Sequence, residues 1–284
     1  MNYIGSKYKL LDFLTTTIEK VTGIKDGKGK IFADLFAGTG VVGSTYKKKG
    51  FKVISNDIQY YSYVINRHLI GNTTETKSVY FKDLNNLPGV EGFIYENYCA
   101  GSGSGRLYFS DKNGRKCDAI RARIEELHKT EKIGDGEYFY LLASLINSID
   151  QYANTASVYG AFLKQIKKTA AKDFIFSPLP NISGPEGAVY NTDISELIKS
   201  VSGDILYLDP PYNNRQYCAN YHVLETIARY DNPKLFGKTG LREYNGQRSS
   251  FCSKRTVKEV FENVVKNANL FSLNHNRPAR YFFL

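Results

Sequence analysis

Short apolar runs that end in an acidic residue recur along the chain. Lys30 to Ala33 leads into Asp34-Leu35-Phe36-Ala37-Gly38-Thr39-Gly40, and from Val41 the apolar spacing turns helical as far as Lys47-Lys48-Lys49-Gly50. This predicts a strand, a glycine turn and a helix, with Gly50 just past the helix end. Phe51 to Asn56 predicts a second strand that ends at Asp57, and Tyr61 to Leu69 a second helix. Strand, helix, strand in this order is a βαβ unit, hence a parallel sheet with right-handed crossovers. Far downstream, Asp204 to Leu208 is an apolar strand running into Asp209-Pro210-Pro211-Tyr212. Two consecutive prolines suit neither a helix nor a ladder, so a rigid loop is expected at a strand's C-terminal end. In open α/β sheets ligands bind at that edge. A helix over Tyr221 to Tyr230 follows, and Arg280 to Leu284 reads as one more buried strand.

Between about Pro88 and Pro185 the pattern changes. A Gly/Ser loop (Ala100 to Gly105), a turn at Asp111-Lys112-Asn113-Gly114 and a long helix from Glu137 to Lys172 are expected there. The fold class is therefore α/β: a doubly wound, mostly parallel sheet, in two parts (1–89 and 185–284), with a largely helical insertion at 90–184.

Composition narrows the class without naming a function. The 284 residues are 42% hydrophobic and 23% charged, an ordinary globular balance. No apolar run approaches the ~18 residues of a membrane span, and the N-terminus lacks a secretory pattern, so no membrane association and a cytoplasmic location are expected. Four cysteines lie far apart with no CxxC pair, and four histidines show no ligand spacing, so neither a metal nor a disulfide framework is expected. Lys and Arg exceed Asp and Glu by 10, and Asn213 to Leu284 holds 12 basic against 5 acidic residues, which makes a polyanion a plausible partner.

Gly38-Thr39-Gly40-Val41-Val42-Gly43 formally fits a dinucleotide fingerprint, with Asp57 where a ribose-binding acid would stand. Asp34 argues against a nicotinamide or flavin cofactor, because its carboxylate would face the space of a pyrophosphate dianion. A cofactor with an ammonium group and no phosphate suits it better, and S-adenosylmethionine is such a cofactor. Asp209-Pro210-Pro211-Tyr212 supplies the complementary chemistry. The amine of a nucleobase is a poor nucleophile because its lone pair is delocalised into the ring. A carboxylate and a fixed backbone carbonyl side by side can accept both amino hydrogens and aim the lone pair at a methyl sulfonium, while the Tyr212 ring offers a stacking face. No Pro-Cys dipeptide is present, so the thiolate of C5-cytosine methylation is missing.

These motifs resemble the D12 class of N6-adenine DNA methyltransferases, the α group that includes the Dam-type enzymes. The resemblance is carried by Asn2-Tyr3-Ile4-Gly5-Ser6-Lys7, Asp34 to Gly40, Asn56-Asp57, Asn191-Thr192-Asp193 and Asp209 to Tyr212, in that order. It implies a Rossmann-like S-adenosylmethionine-dependent methyltransferase whose target recognition lies in the insertion, and a place in a restriction-modification system. By the same resemblance Tyr3 and Lys7 help enclose the cofactor, the lysine on its carboxylate. Phe36, Gly38, Thr39 and Gly40 form the turn around it, Asp57 holds the ribose hydroxyls, and Asp193 lies near the adenine of the cofactor. Asp209 stands between cofactor and target base, with Pro210, Pro211 and Tyr212 completing the catalytic set. Read on their own, Tyr3 and Lys7 are ordinary N-terminal surface residues, and Asp193 is a cap for the helix that starts beside it. Family members continue beyond the strand at 280–284, so a sheet lacking its last strands is expected.

The expected partners are duplex DNA, with the target adenine flipped out, and a cognate restriction endonuclease acting on the same sequence; a monomer is expected. Arg215, Lys238, Arg242, Arg248, Lys254 and Arg255 are candidate phosphate contacts, on a stretch (Lys234 to Arg255) expected to be a mobile loop. Asn147, Ser148, Asp150, Gln151, Asn154 and Thr155 form a polar series that suits either base reading or a solvated helix face. Two rivals stand beside this reading: a methyltransferase acting on an RNA base or a protein glutamine, and a truncated, inactive DNA-binding relative.

Overall fold

The computed structural model describes residues 3–211, 216–268 and 281–283, the last three by backbone alone. The chain divides into two compact units. A sheet unit takes Gly5–Glu75, Asn181–Gln216 and Gln247–Leu284, and a helical unit takes Met1–Ile4, Thr76–Pro180 and Tyr217–Gly246. These limits differ from the expected ones, because residues 217–246 join the helical unit and the middle segment begins at Thr76.

In the sheet unit, β1 (Ile31–Asp34), β2 (Lys52–Asn56), β3 (Ala188–Tyr190), β4 (Ile205–Leu208) and β7 (Tyr281–Phe283) form one sheet in the order β3-β2-β1-β4-β7. Every neighbouring pair is parallel. The helices are α1 (Leu11–Thr22), α2 (Val41–Lys48), α3 (Tyr60–Leu69), α8 (Ile194–Leu197) and α11 (Val257–Asn267). Strand alternation sorts the core into two layers. Phe32 and Tyr207 face α2, where Phe32 stacks on Tyr46 at 3.7 Å between ring centroids and meets Phe51 edge-on. On the opposite face Ala33, Leu206 and Leu208 pack with Ile194, Ile198, Phe251 and Val264. Each large apolar side chain withdrawn from water contributes about 1.5–3 kcal/mol. Helices on both faces make the sheet doubly wound, as the βαβ pattern predicts. The chain winds from β1 to β2 in one direction and from β1 across to β4 in the other, so the switch point lies between β1 and β4.

Lys47, in the last turn of α2, is fully buried. Its Nζ donates to the carbonyls of Leu69, Ile70 and Asn72, which closes the C-terminus of α3. Burial pushes its pKa down to about 8.

The helical unit holds α4 (Phe81–Asn85), α5 (Phe93–Tyr98), α6 (Asp111–Lys129), α7 (Asp135–Asp150), α9 (Tyr217–Asn220) and α10 (His222–Arg229), with a two-residue antiparallel pair, β5 (Leu235–Phe236) and β6 (Leu241–Arg242). Three local expectations fail here. Asp111-Lys112-Asn113-Gly114 is the first turn of α6, capped by Ser110, whose hydroxyl accepts from Asn113 N–H. Gly114 serves close packing there, since a Cβ at that position would stand 2.0 Å from Cys99 Sγ. The helix expected from Glu137 to Lys172 ends at Asp150, because Asn154 gives its side chain to the carbonyls of Leu107 and Leu163 and its own N–H to Tyr108. Lys234 to Arg255 is not an unstructured loop: it holds the β5–β6 pair and two short 3-10 turns.

Candidate active site

Four acids of the sheet unit stand at or just beyond the C-terminal ends of its strands. Asp34 ends β1, Asp57 follows β2, Asp193 lies beyond β3 and Asp209 follows β4. Asp34 and Tyr207 are register partners across the switch point, which brings Asp209, two residues on, to the same edge.

Asp34 is almost completely buried, and its Oδ1 has no hydrogen-bond partner among the described residues. Burial, then the charges of Asp209 and Asp57, push its pKa up to about 7 against the pull of the Phe36 and Gly43 backbone N–H groups. An acid in that setting is poised to meet a cation. Asp57 is held by the backbone: Gly38 N–H donates to one carboxylate oxygen and Gln59 N–H to the other, both at 2.8 Å. Asp209 pairs with Lys7 at 2.5 Å, with both side chains only 13–14% exposed. Burial raises the Asp209 pKa while the lysine's hydrogen bond and charge oppose that rise.

The glycine turn is built as expected. Gly38 and Gly40 have φ of 52° and 74°, in the left-handed region that favours glycine. Thr39 lies between them, and Phe36 packs edge-on against Phe251 at 5.1 Å. Two asparagines hold this turn: Asn66, to which the sequence pattern gave no role, and Asn56, read only as part of the Asn56-Asp57 motif. Asn66, from the buried face of α3, donates to the carbonyls of Gly38 and Ser62 and accepts from Ser55 Oγ. A Cβ on Gly40 would come within 2.6 Å of Asn66 Oδ1, so the turn and this amide fit only with glycine. Asn56 donates to the carbonyls of Leu35 and Thr192 and accepts from Thr192 N–H, fastening the ends of β1 and β2 to the segment before α8. The signal available for both was a polar amide on an otherwise buried face.

The other expected site residues sit in varied settings. Asp193 is exposed and caps α8, accepting from Ser195 N–H at 2.8 Å. Tyr3 belongs to the helical unit, where its ring stacks on Tyr221 at 4.6 Å. Pro210 and Pro211 are half-buried after β4, and Tyr212 and Arg215 lie outside the described residues. Lys238, Arg248, Lys254 and Arg255 are exposed. Arg242 is not available for phosphate: it is 7% exposed and makes a bidentate ion pair with Asp231, at 2.9 and 2.7 Å. Much of the polar series around α7 also faces inward. Ser148 exchanges hydrogen bonds with the Ser177 backbone, and Asp150 accepts from the Tyr159 hydroxyl. Among the described residues no group of three or more His, Cys, Asp or Glu could hold a metal ion, and no helix is long and apolar enough to cross a membrane.

A parallel, doubly wound sheet with a glycine turn after β1 and Asp-Pro-Pro after β4 defines a class, and comparison with known proteins gives it a name. Residues 3–278 match the family model of D12 class N6 adenine-specific DNA methyltransferases, and the chain belongs to that family. It is 52% identical over 272 residues to the Type II methyltransferase M.NlaIII of Neisseria lactamica, covering 95% of this chain and 80% of that protein. It is 39% identical over 288 residues to M.CviAII of Paramecium bursaria Chlorella virus 1, covering 98% and 84%. Type II methyltransferase M.FokI of Planomicrobium okeanokoites is 40% identical over 283 residues, covering 95% of this chain but only 43% of the relative. No solved structure matches the chain. The chain is thus an N6-adenine DNA methyltransferase of the restriction-modification kind, acting on DNA with a methyl donor.

Proposed function

We propose that the methyl donor is S-adenosylmethionine and that the acceptor is the N6 amine of an adenine flipped out of a specific duplex sequence. The observation that carries this reading is the convergence of Asp34, Asp57 and Asp209 at the C-terminal edge of the sheet, with a buried Asp34 oxygen that has no partner among the described residues. Three acids beside a glycine turn suit a cationic cofactor without phosphates and would repel a dinucleotide. When bound, S-adenosylmethionine supplies an electrophilic methyl group on a sulfonium. Asp57, its oxygens steadied by Gly38 and Gln59, accepts from the ribose hydroxyls, and Asp34 faces the positive end of the cofactor. Asp209 and the Pro210 carbonyl accept the two hydrogens of the adenine amine, which localises its lone pair, and Tyr212 stacks on the base.

Lys7 takes a different part from the expected one. Its contact with Asp209 favours the ionised carboxylate, the form that accepts a hydrogen bond from the amine. Once methylated, N6 is strongly acidic, and its extra proton departs during or after transfer. Within a restriction-modification system, the cognate endonuclease would cut the same sequence when it is unmethylated. The test is transfer of labelled methyl groups from S-adenosylmethionine to unmethylated plasmid DNA, with ribosomal RNA and protein extract as competing acceptors. N6-methyladenine in the DNA digest is the expected product; label in RNA or in protein glutamine instead would refute the assignment.

A further inference from the structure

The helical unit contains a long irregular segment after α7 that is held rigid from beneath. Asn154, 1% exposed, receives Leu163 N–H on its carbonyl and Lys167 N–H on Oδ1, and gives its amide to the carbonyls of Leu107 and Leu163. At the far end Asn113, equally buried, gives its amide to the carbonyls of Ala170 and Lys172 and accepts Phe174 N–H. Two buried side chains thus fasten residues 163–172 to the body of the unit. Long loops without secondary structure inside a compact unit are usually functional.

What this loop presents is specific. From Gln151 to Lys172 there is no acidic residue, and Lys164, Lys167, Lys168 and Lys172 give it four positive charges. Lys167 turns back to the Thr155 carbonyl, whereas Lys164 and Lys168 are exposed. Between and beside them Leu163 and Ile166 are 36% and 37% exposed. The loop base is also joined to the β5–β6 turn, because the Tyr108 hydroxyl lies 2.6 Å from the Tyr159 carbonyl and 3.2 Å from that of Thr239. Lys238 therefore stands on the same part of the helical unit.

We propose that the loop at 155–172 is a DNA-contacting element, with Lys164 and Lys168 on backbone phosphates and Leu163 and Ile166 entering a groove as apolar wedges. The proposal rests on the duplex-DNA reading above. Lysines on a rigid loop place cations without further ordering cost, and exposed aliphatic side chains framed by positive charge fit a duplex whose base steps must be pried apart.

The test compares the full-length wild type with Lys164→Ala/Lys168→Ala and Leu163→Ala/Ile166→Ala. Thermal melts report folding, which these exposed positions should not alter. Binding of a fluorescent mixed-sequence duplex is followed against salt, and methylation against unmethylated plasmid DNA. The lysine pair should flatten log K against log salt by about two. The aliphatic pair should keep the wild-type slope, lose about tenfold or more in kcat/KM for DNA, and leave S-adenosylmethionine affinity unchanged. A wild-type slope in the lysine variant overturns the proposal, and wild-type kcat/KM in the aliphatic variant overturns the wedge. If the wild type itself fails to bind duplex DNA, both this proposal and the reading beneath it fall.

Discussion

The buried Asp34 carries a stability cost that can be measured without any substrate. Its pKa stands near 7 in the folded chain against an ordinary value of 3.8. Between those two values the native protein holds a proton that the unfolded chain has released. Stability therefore falls as pH rises through that window, by about 1.4 kcal/mol per pH unit, and levels off above about pH 7. Over the full window the loss is about 4 kcal/mol, a large share of the 5–15 kcal/mol that ordinarily separates a native domain from its unfolded chain. Asp34→Asn is nearly isosteric and cannot ionise. It should be more stable than the wild type at pH 8 by roughly 2–4 kcal/mol, with the advantage shrinking toward pH 5. Urea denaturation at half-unit steps from pH 5 to 8.5 reads both curves. The same variant should bind S-adenosylmethionine more weakly, because the acid that meets its cation has gone. In the wild type, binding near pH 7 should release a fraction of a proton, seen as a dependence of calorimetric heat on the buffer's ionisation enthalpy. A wild-type stability that stays flat between pH 5 and 7, together with Asp34→Asn no more stable at pH 8, would refute the reasoning.

Four further outcomes are expected. Asp209→Ala should lose ~10²-fold or more in kcat while keeping most of its DNA affinity, and residual transfer above about a hundredth of the wild-type rate would count against its catalytic role. Lys7→Met should move the acid limb of the kcat–pH profile to higher pH with little change in cofactor affinity, whereas a lysine bound to the cofactor's carboxylate predicts weaker cofactor binding and an unmoved profile. Asp57→Ala should weaken S-adenosylmethionine binding by roughly 1.5–3 kcal/mol, checked by calorimetry. Replacing the exposed Arg248, Lys254 and Arg255 by Ala should flatten the salt dependence of DNA binding by about two to three, and an unchanged slope would mark them as a solvated surface.

What the sequence determined by itself is local. An apolar run closed by an acid, a pair of glycines and a pair of prolines each restrict their own backbone, so β1, the glycine turn, α2, β2, α3 and β4 lie close to where the pattern puts them. Asp34, Asp57 and Asp209 were legible for the same reason, each ending a strand or following directly on one. Elements whose partners are distant in sequence were not legible. Nothing near Lys7 announces that its ammonium meets Asp209, which takes the β4 edge and the N-terminal segment together. Arg242 reads as a surface cation until Asp231 is found opposite its guanidinium, and Asn113-Gly114 reads as a turn until Cys99 is found against the glycine. The end of α7 depends on Asn154 finding the carbonyls of Leu107 and Leu163, and the hold on the glycine turn on Asn66 reaching the Gly38 carbonyl from α3. In each case a buried polar group must be satisfied, and which partner satisfies it is set by how the elements pack rather than by the residues beside it in the chain.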